Sequence, residues 1–240
     1  TLRLWDAGSG EPLAVLEGHR DWVLACGWSP DGSRLVSAGS DGSLRLWDAA
    51  NGECLAVLQG HQGRVLACGW SPDGGQLVSA GDDGNLRLWD AAGGEPLAVL
   101  TDRQGWVWAC AWSPEGGRLV SAGDNGTLRL WDAATGESLA VLAGHQGSVL
   151  ACGWSPDGDR LVSAGDDGTL RLWDAATGEP ITIIHMFEDR EYAVLEPDGS
   201  GFRSASPGAW RWLGWQTKDP TTGRLERLPA ETFGPIPGMT

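Results

Sequence analysis

Lysine is nearly missing from this 240-residue sequence, with Lys218 standing alone. Tyrosine occurs once, methionine twice and phenylalanine three times. Cation is scarce overall: 17 Lys and Arg face 32 Asp and Glu, a formal net charge of −15. Nucleic acid and anionic membrane surfaces would both be repelled, so neither fits as the main partner, whereas a basic protein partner does. The same charge also serves plain solubility. No apolar run is long enough to cross a bilayer as a helix. There is no Gly-rich phosphate loop, and no segment has the alternating acidic spacing of a calcium loop, so no cofactor or metal is expected.

Glycine (37 residues) and tryptophan (15 residues) are abundant instead. Their placement is periodic. Trp-Asp pairs fall at 5–6, 47–48, 89–90, 131–132 and 173–174, a constant step of 42 residues. Val-Leu-Ala-Cys-Gly-Trp-Ser-Pro-Asp-Gly starts at Val23, Val65 and Val149, with a variant at Val107. Self-similarity at a fixed period of this length means a repeat architecture. Each unit holds four short β-type runs, in the first full unit Trp22–Ser29, Arg34–Gly39, Ser43–Asp48 and Glu53–Leu58. Ser-Pro-Asp-Gly, Ser-Asp-Gly and Ala-Asn-Gly turns separate them, and such turns tolerate the positive φ of tight hairpins. Four antiparallel strands per unit make a propeller blade rather than a helical solenoid.

With Gly-His at 18–19, 60–61 and 144–145, each followed by a Trp-Asp, residues 1–184 resemble the WD-repeat family. The resemblance implies an all-β propeller of four-stranded antiparallel blades: a partial blade over 1–17, then four 42-residue units. Residues 185–240 read as a degenerate last blade or cap. There Glu196-Pro197-Asp198-Gly199 mimics the usual turn, and Ala209–Gly214 resembles the Trp-Asp strand. Thr222–Leu228 could supply an outer strand. Asp198–Trp215 is similar to the ends of bacterial WD-repeat proteins with upstream signalling or nucleotide-hydrolysing domains. The count is then five to six blades, an incomplete ring. Upstream residues, a second copy, or a tail sharing a blade with the first strands could complete it. Thr1 falls in mid-repeat, so further blades or domains are expected upstream.

The resemblance further implies a buried hydrogen-bonded tetrad in each regular blade. The matching sets are His19, Ser37, Asp41, Trp47; His61, Ser79, Asp83, Trp89; and His145, Ser163, Asp167, Trp173. An Asp, His, Ser set suggests a catalytic triad. A set that recurs three times in strand and turn slots, with a Trp on the hydroxyl, serves architecture instead. No unique nucleophile, base and oxyanion donor rises above the repeat, so no enzyme is expected. The third unit departs, with Arg103 in the His slot and Asn125 in the Asp slot beside Ser121 and Trp131; neutral drift is the simpler account, and a weakened, more mobile blade near a binding site is the other.

Cys26, Cys68, Cys110 and Cys152 share one slot and read as small core hydrophobes, with Cys54 apart. Their spacing is unlike zinc ligands, and free thiols suit a reducing, cytoplasmic location. Trp28, Trp70, Trp112 and Trp154 should fill the space between blades, with Arg45, Arg87, Arg129 and Arg171 packed beside them. Units differ most in two loops on one rim. Those loops carry Arg20, Trp22, Ser40, Arg64, Asp82, Arg103, Trp106, Trp108, Asp124, Ser148 and Asp166. By resemblance these are candidate partner-binding residues, and Trp and Arg dominate binding hot spots. Unconstrained loop variation explains them equally well. The implied function is a non-catalytic interaction scaffold or sensor, the C-terminal recognition part of a larger bacterial signalling or defence protein. A lectin-like propeller using exposed tryptophans is the alternative.

Overall fold

The computed structural model describes residues 1–101, 105–187, 190–206, 209, 215–218 and 225–228. Two strands come first, β1 (Leu2–Trp5) and β2 (Pro12–Leu16), paired as a hairpin. Four sheets follow. The first is β3 (Val23–Trp28), β4 (Arg34–Gly39), β5 (Ser43–Asp48) and β6 (Cys54–Gln59). The second is β7 (Val65–Trp70), β8 (Gln76–Gly81), β9 (Asn85–Asp90) and β10 (Pro96–Thr101). The third is β11 (Val107–Trp112), β12 (Arg118–Gly123), β13 (Thr127–Asp132) and β14 (Ser138–Ala143). The fourth opens with β15 (Val149–Trp154), β16 (Arg160–Gly165), β17 (Thr169–Asp174) and β18 (Pro180–Met186). Every pairing is between sequence neighbours and antiparallel, and no helix of the described residues is long and apolar enough to cross a membrane.

The turn chemistry explains the hairpins. In the first sheet Ser29 N–H bonds Arg34 O and Gly32 N–H bonds Ser29 O, each at 2.9 Å, while the Ser29 hydroxyl donates to Asp31 at 2.6 Å. Gly32 sits at φ +72°, where a side chain would be strained. At the same end of the sheet, Asp48 Oδ1 accepts the N–H groups of Ala50 and Asn51.

The sheets stack through their first strands: β3 packs on β7, β7 on β11 and β11 on β15. Each junction repeats one cluster. Between the first and second sheets it holds Val36, Ala38, Leu44, Leu46 and Leu58 against Leu77 and Trp89, with Cys68 and Trp70 at its margin. Burying one such aliphatic side chain contributes about 1.5–3 kcal/mol.

The ends of the array differ from this pattern. The β1–β2 hairpin sets Leu2, Leu4, Ala14 and Leu16 on Leu35 and Trp47, which is what β5 and β6 do for the second sheet. It supplies nothing against β3. Trp28 is therefore 56% exposed and Cys26 is exposed, so the expectation that both lie in the core fails in this one sheet. Trp70, Trp112 and Trp154 are partly buried at their junctions as expected. Arg45, Arg87 and Arg171 pack elsewhere than expected. Their guanidinium groups lie where a Cβ on Gly18, Gly60 or Gly144 would be, beside Trp47, Trp89 and Trp173. That is why glycine precedes histidine in these units.

The sequence assigns the next segment to a further, degenerate blade. Its strands β19 (Tyr192–Leu195) and β20 (Phe202–Ala205) pair instead onto β18, widening the fourth sheet to six strands. They satisfy an outer edge that would otherwise offer unpaired backbone groups. The turn at Glu196–Gly201 has the expected form, with Gly199 at φ +73° and its N–H on Glu196 O. A last hairpin joins β21 (Trp215–Lys218) to β22 (Leu225–Leu228), and the strand expected over Ala209–Gly214 lies almost wholly outside the described residues.

Leu77, fully buried at a junction, and Val162, 38% exposed on the open face of the fourth sheet, should differ sharply on truncation. Leu77→Ala should lower unfolding free energy by about 2–5 kcal/mol and Val162→Ala by about 1 kcal/mol or less, read by urea denaturation. Equal losses would contradict the packing described.

Candidate interaction site

The three regular sheets each join one strand-borne serine to three partners. His19 Nε2 lies 2.7 Å from Ser37 Oγ, which accepts the Trp47 indole N–H at 2.9 Å. On its other side His19 Nδ1 lies 3.1 Å from both Asp41 oxygens. The His61 and His145 sets repeat this within 0.1 Å, through Ser79, Asp83 and Trp89, and through Ser163, Asp167 and Trp173. The three histidine side chains are fully buried and the three aspartates nearly so.

One arrangement of protons pairs every donor in the set. The indole donates to the hydroxyl, the hydroxyl donates to Nε2, and Nδ1–H donates to the carboxylate. In the His61 and His145 sets this is the neutral imidazole. Burial lowers the pKa of His61 and His145, outweighing the Asp83 and Asp167 carboxylates beside them. For Asp41, burial alone would raise the pKa, but the Arg20 N–H, Ser43 and His19 outweigh it and hold the carboxyl at about 2. The hydroxyl that a nucleophile would need is capped by an indole and sealed between strands. The third sheet keeps the Trp131 to Ser121 bond at 2.9 Å, and Asn125 Oδ1 accepts from Thr127 N–H and Oγ1–H. Arg103 lies outside the described residues.

The remaining candidates lie at the opposite end of the strands from the Ser-Pro-Asp-Gly turns. Six of them form one chain of contacts across three sheets. Asp82 accepts Arg64 Nε–H at 2.8 Å, and the Arg64 guanidinium lies 4.8 Å from the Trp106 ring centroid. Trp106 meets Trp108 edge-on at 5.2 Å. Trp108 Nε1–H donates to Asp124 at 2.5 Å, and Ser148 Oγ approaches the same carboxylate at 3.4 Å. Cation–π and aromatic contacts of this kind contribute about 0.5–1.5 kcal/mol each. The other described candidates make backbone contacts, and of these only Asp166 meets a member of the chain. Trp22 is 77% exposed with its N–H on Asp21; Ser40 N–H bonds Trp22 O; Arg20 N–H caps Asp41; Asp166 N–H bonds Ser148 O.

Sequence reasoning missed the stacking of Arg64 on Trp106. Their separation of 42 residues, one repeat, is the signal, since equivalent loops are neighbours on the rim. It also missed two arginines that tie sheets together at the other end, Arg34 to Ala91 O and Arg118 to Ala175 O, each at 2.8 Å.

The model of the WD domain, G-beta repeat, matches residues 10–48, 52–90, 94–132 and 136–174, more than half of the chain. The chain belongs to the WD-repeat family. Its curated relatives match over single repeats. Ribosome assembly protein 4 of Chaetomium thermophilum is 54% identical over 35 residues, 15% of this chain and 7% of that protein. Human WD repeat and SOCS box-containing protein 1 is 49% identical over 41 residues, 17% of this chain and 10% of its own length. Bovine Coronin-7 is 43% identical over 44 residues, 18% of this chain and 5% of its own. The matches thus span a tenth or less of these relatives. The WD-repeat sheets are a scaffold for protein interaction.

Two outcomes test the tetrads. Ser79→Ala strands the Trp89 indole and His61, and should cost about 1–3 kcal/mol in chemical denaturation. Because His61 and His145 titrate below their ordinary 6.5 when folded, the unfolded chain binds more protons in that window. Stability is therefore full above about pH 6.5 and falls as pH drops through the folded values. Asp41 adds a second loss between 3.8 and about 2. Melting temperature measured from pH 7.5 to 5 should decline; a flat profile would contradict neutral buried imidazoles.

Proposed function

We propose that this WD-repeat chain is a non-catalytic recognition module whose contact surface is the rim centred on Arg64, Trp106, Trp108 and Asp124. The observation that carries the reading is the continuity of that cluster. It runs over three sheets, Trp106 is partly exposed, and the ring is pre-ordered by its neighbours. Rigid aromatic anchors lose little entropy on binding, which is what makes Trp and Arg effective in interfaces. Trp22 forms an outlying contact on the same rim.

In this reading the partner is a protein with a basic surface, given the net charge of −15. The module is the sensor end of a larger bacterial signalling or defence protein, working in the cytoplasm. Residues 185–240 act as its cap, for which the placement of β19 and β20 on the outer edge of β18 is the support.

The test is affinity capture with the wild-type chain and with Trp106→Ala, Arg64→Ala and Trp22→Ala, followed by direct titration of each captured protein. Binding to Trp106→Ala should weaken by about tenfold or more, equal to about 1.4 kcal/mol, with the variant still folded at the assay temperature. Identical affinities for all four proteins would remove the rim as the site. A glycan array bound by the wild type and lost in Trp22→Ala would instead favour a lectin.

A further inference from the structure

The end of the strands opposite the rim carries grooves between adjacent sheets, and one of them lacks a side chain its neighbours have. At the junction of the third and fourth sheets, Arg118 of the third sheet crosses to the fourth. Its Nη1 donates to Ala175 O at 2.8 Å and its Nη2 to Gly158 O at 3.4 Å. The guanidinium carbon lies 4.8 Å from the Trp154 ring centroid. At the junction of the first and second sheets, Arg34 donates to Ala91 O in the same way.

At the middle junction the arginine slot holds Gln76, whose side chain makes no hydrogen bond among the described residues. The receiving groups are all present. Ala133 O corresponds to Ala91 O and Ala175 O, Gly116 O to Gly158 O, and the Trp112 ring to Trp154. Trp112, Gly116 and Ala133 line an open groove of about 440 Å³ with Asp73 and Glu115, the latter also paired with Arg118; the groove beside Arg34 has the same volume. Trp112 differs from its equivalents in a second respect. Trp70 and Trp154 donate their indole N–H to Gly27 O and Ala111 O, whereas Trp112 Nε1 is buried without a partner.

We propose that the groove between the second and third sheets binds the guanidinium of an arginine side chain presented by a partner protein. The site reproduces, with an external arginine, the contacts that Arg118 makes internally: a carbonyl to each of two N–H groups and an indole face beneath the plane. A planar cation with paired donors fits this set, whereas a lysine ammonium would serve only part of it. The acidic mouth and the net charge of −15 favour a cation from solution. This surface is separate from the rim, so a partner could engage either end alone.

The experiment follows the Trp112 indole resonance of the 240-residue chain, assigned by its disappearance in Trp112→Phe, during titration at low salt. The probes are N-ethylguanidinium and its neutral isostere N-ethylurea. N-ethylguanidinium should give a saturable shift, and N-ethylurea none. Gln76→Arg should abolish the shift and raise the melting temperature by about 2 °C, since the protein then fills its own slot. Trp106→Ala should keep the shift, which separates this site from the rim. Absence of a shift with N-ethylguanidinium would overturn the proposal, as would an equal shift with N-ethylurea, or an undiminished shift in a folded Gln76→Arg protein.

Discussion

A serine hydroxyl at the centre of each regular sheet is the point on which the rest depends. Ser37, Ser79 and Ser163 sit on second strands, accept an indole from the third strand and meet an imidazole from the loop that leads in. The imidazole is itself held by an aspartate from the turn between those strands. One polar chain thereby fixes two strands, a turn and the loop from the preceding unit. Each bond nets only about 1 kcal/mol, but leaving any member buried and unpaired costs more, so the set stands or falls together. The apolar clusters between sheets supply the bulk of the burial, and the polar chain fixes register within them.

This arrangement divides the molecule into parts that cannot vary and parts that can. Strand interiors repeat almost unchanged because each faces the same two neighbours. Departures concentrate at the two ends of the strands, and they come in matched form. Arg64, Trp106 and Trp108 replace smaller or different side chains in equivalent slots and find one another on the rim. Gln76 replaces an arginine at the other end, beside the groove that Trp112, Gly116 and Ala133 line. A near-identical repeat makes such differences readable, since every slot has internal references.

Much of this was legible in the sequence because periodicity carries topology. The 42-residue step and the Asp-Gly and Asn-Gly turns gave the four strands of each unit to within a residue or two. What failed to be legible depends on neighbours rather than on the unit. Trp28 is chemically equivalent to Trp70, yet it is exposed because only β1 and β2 lie on its side. Tyr192–Ala205 has the right turn, yet its strands join β18, because pairing partners are decided in space. The guanidinium of Arg45 lies beside the tryptophan of the Trp-Asp pair, a choice set by the gap at Gly18. The stacking of Arg64 on Trp106 joins two units, and no single unit contains it.

The central claim is that the serine-bound indoles are sealed structural groups, while the rim tryptophans face solvent. Hydrogen exchange of the indole N–H groups reads this directly. Those of Trp47, Trp89 and Trp173, buried and bonded to serine, should exchange only with global unfolding, at a free energy matching denaturant melts, and that of Trp22 should exchange close to the free rate. Fast exchange at Trp47, Trp89 and Trp173 under native conditions would show open, solvent-filled sites and contradict the account.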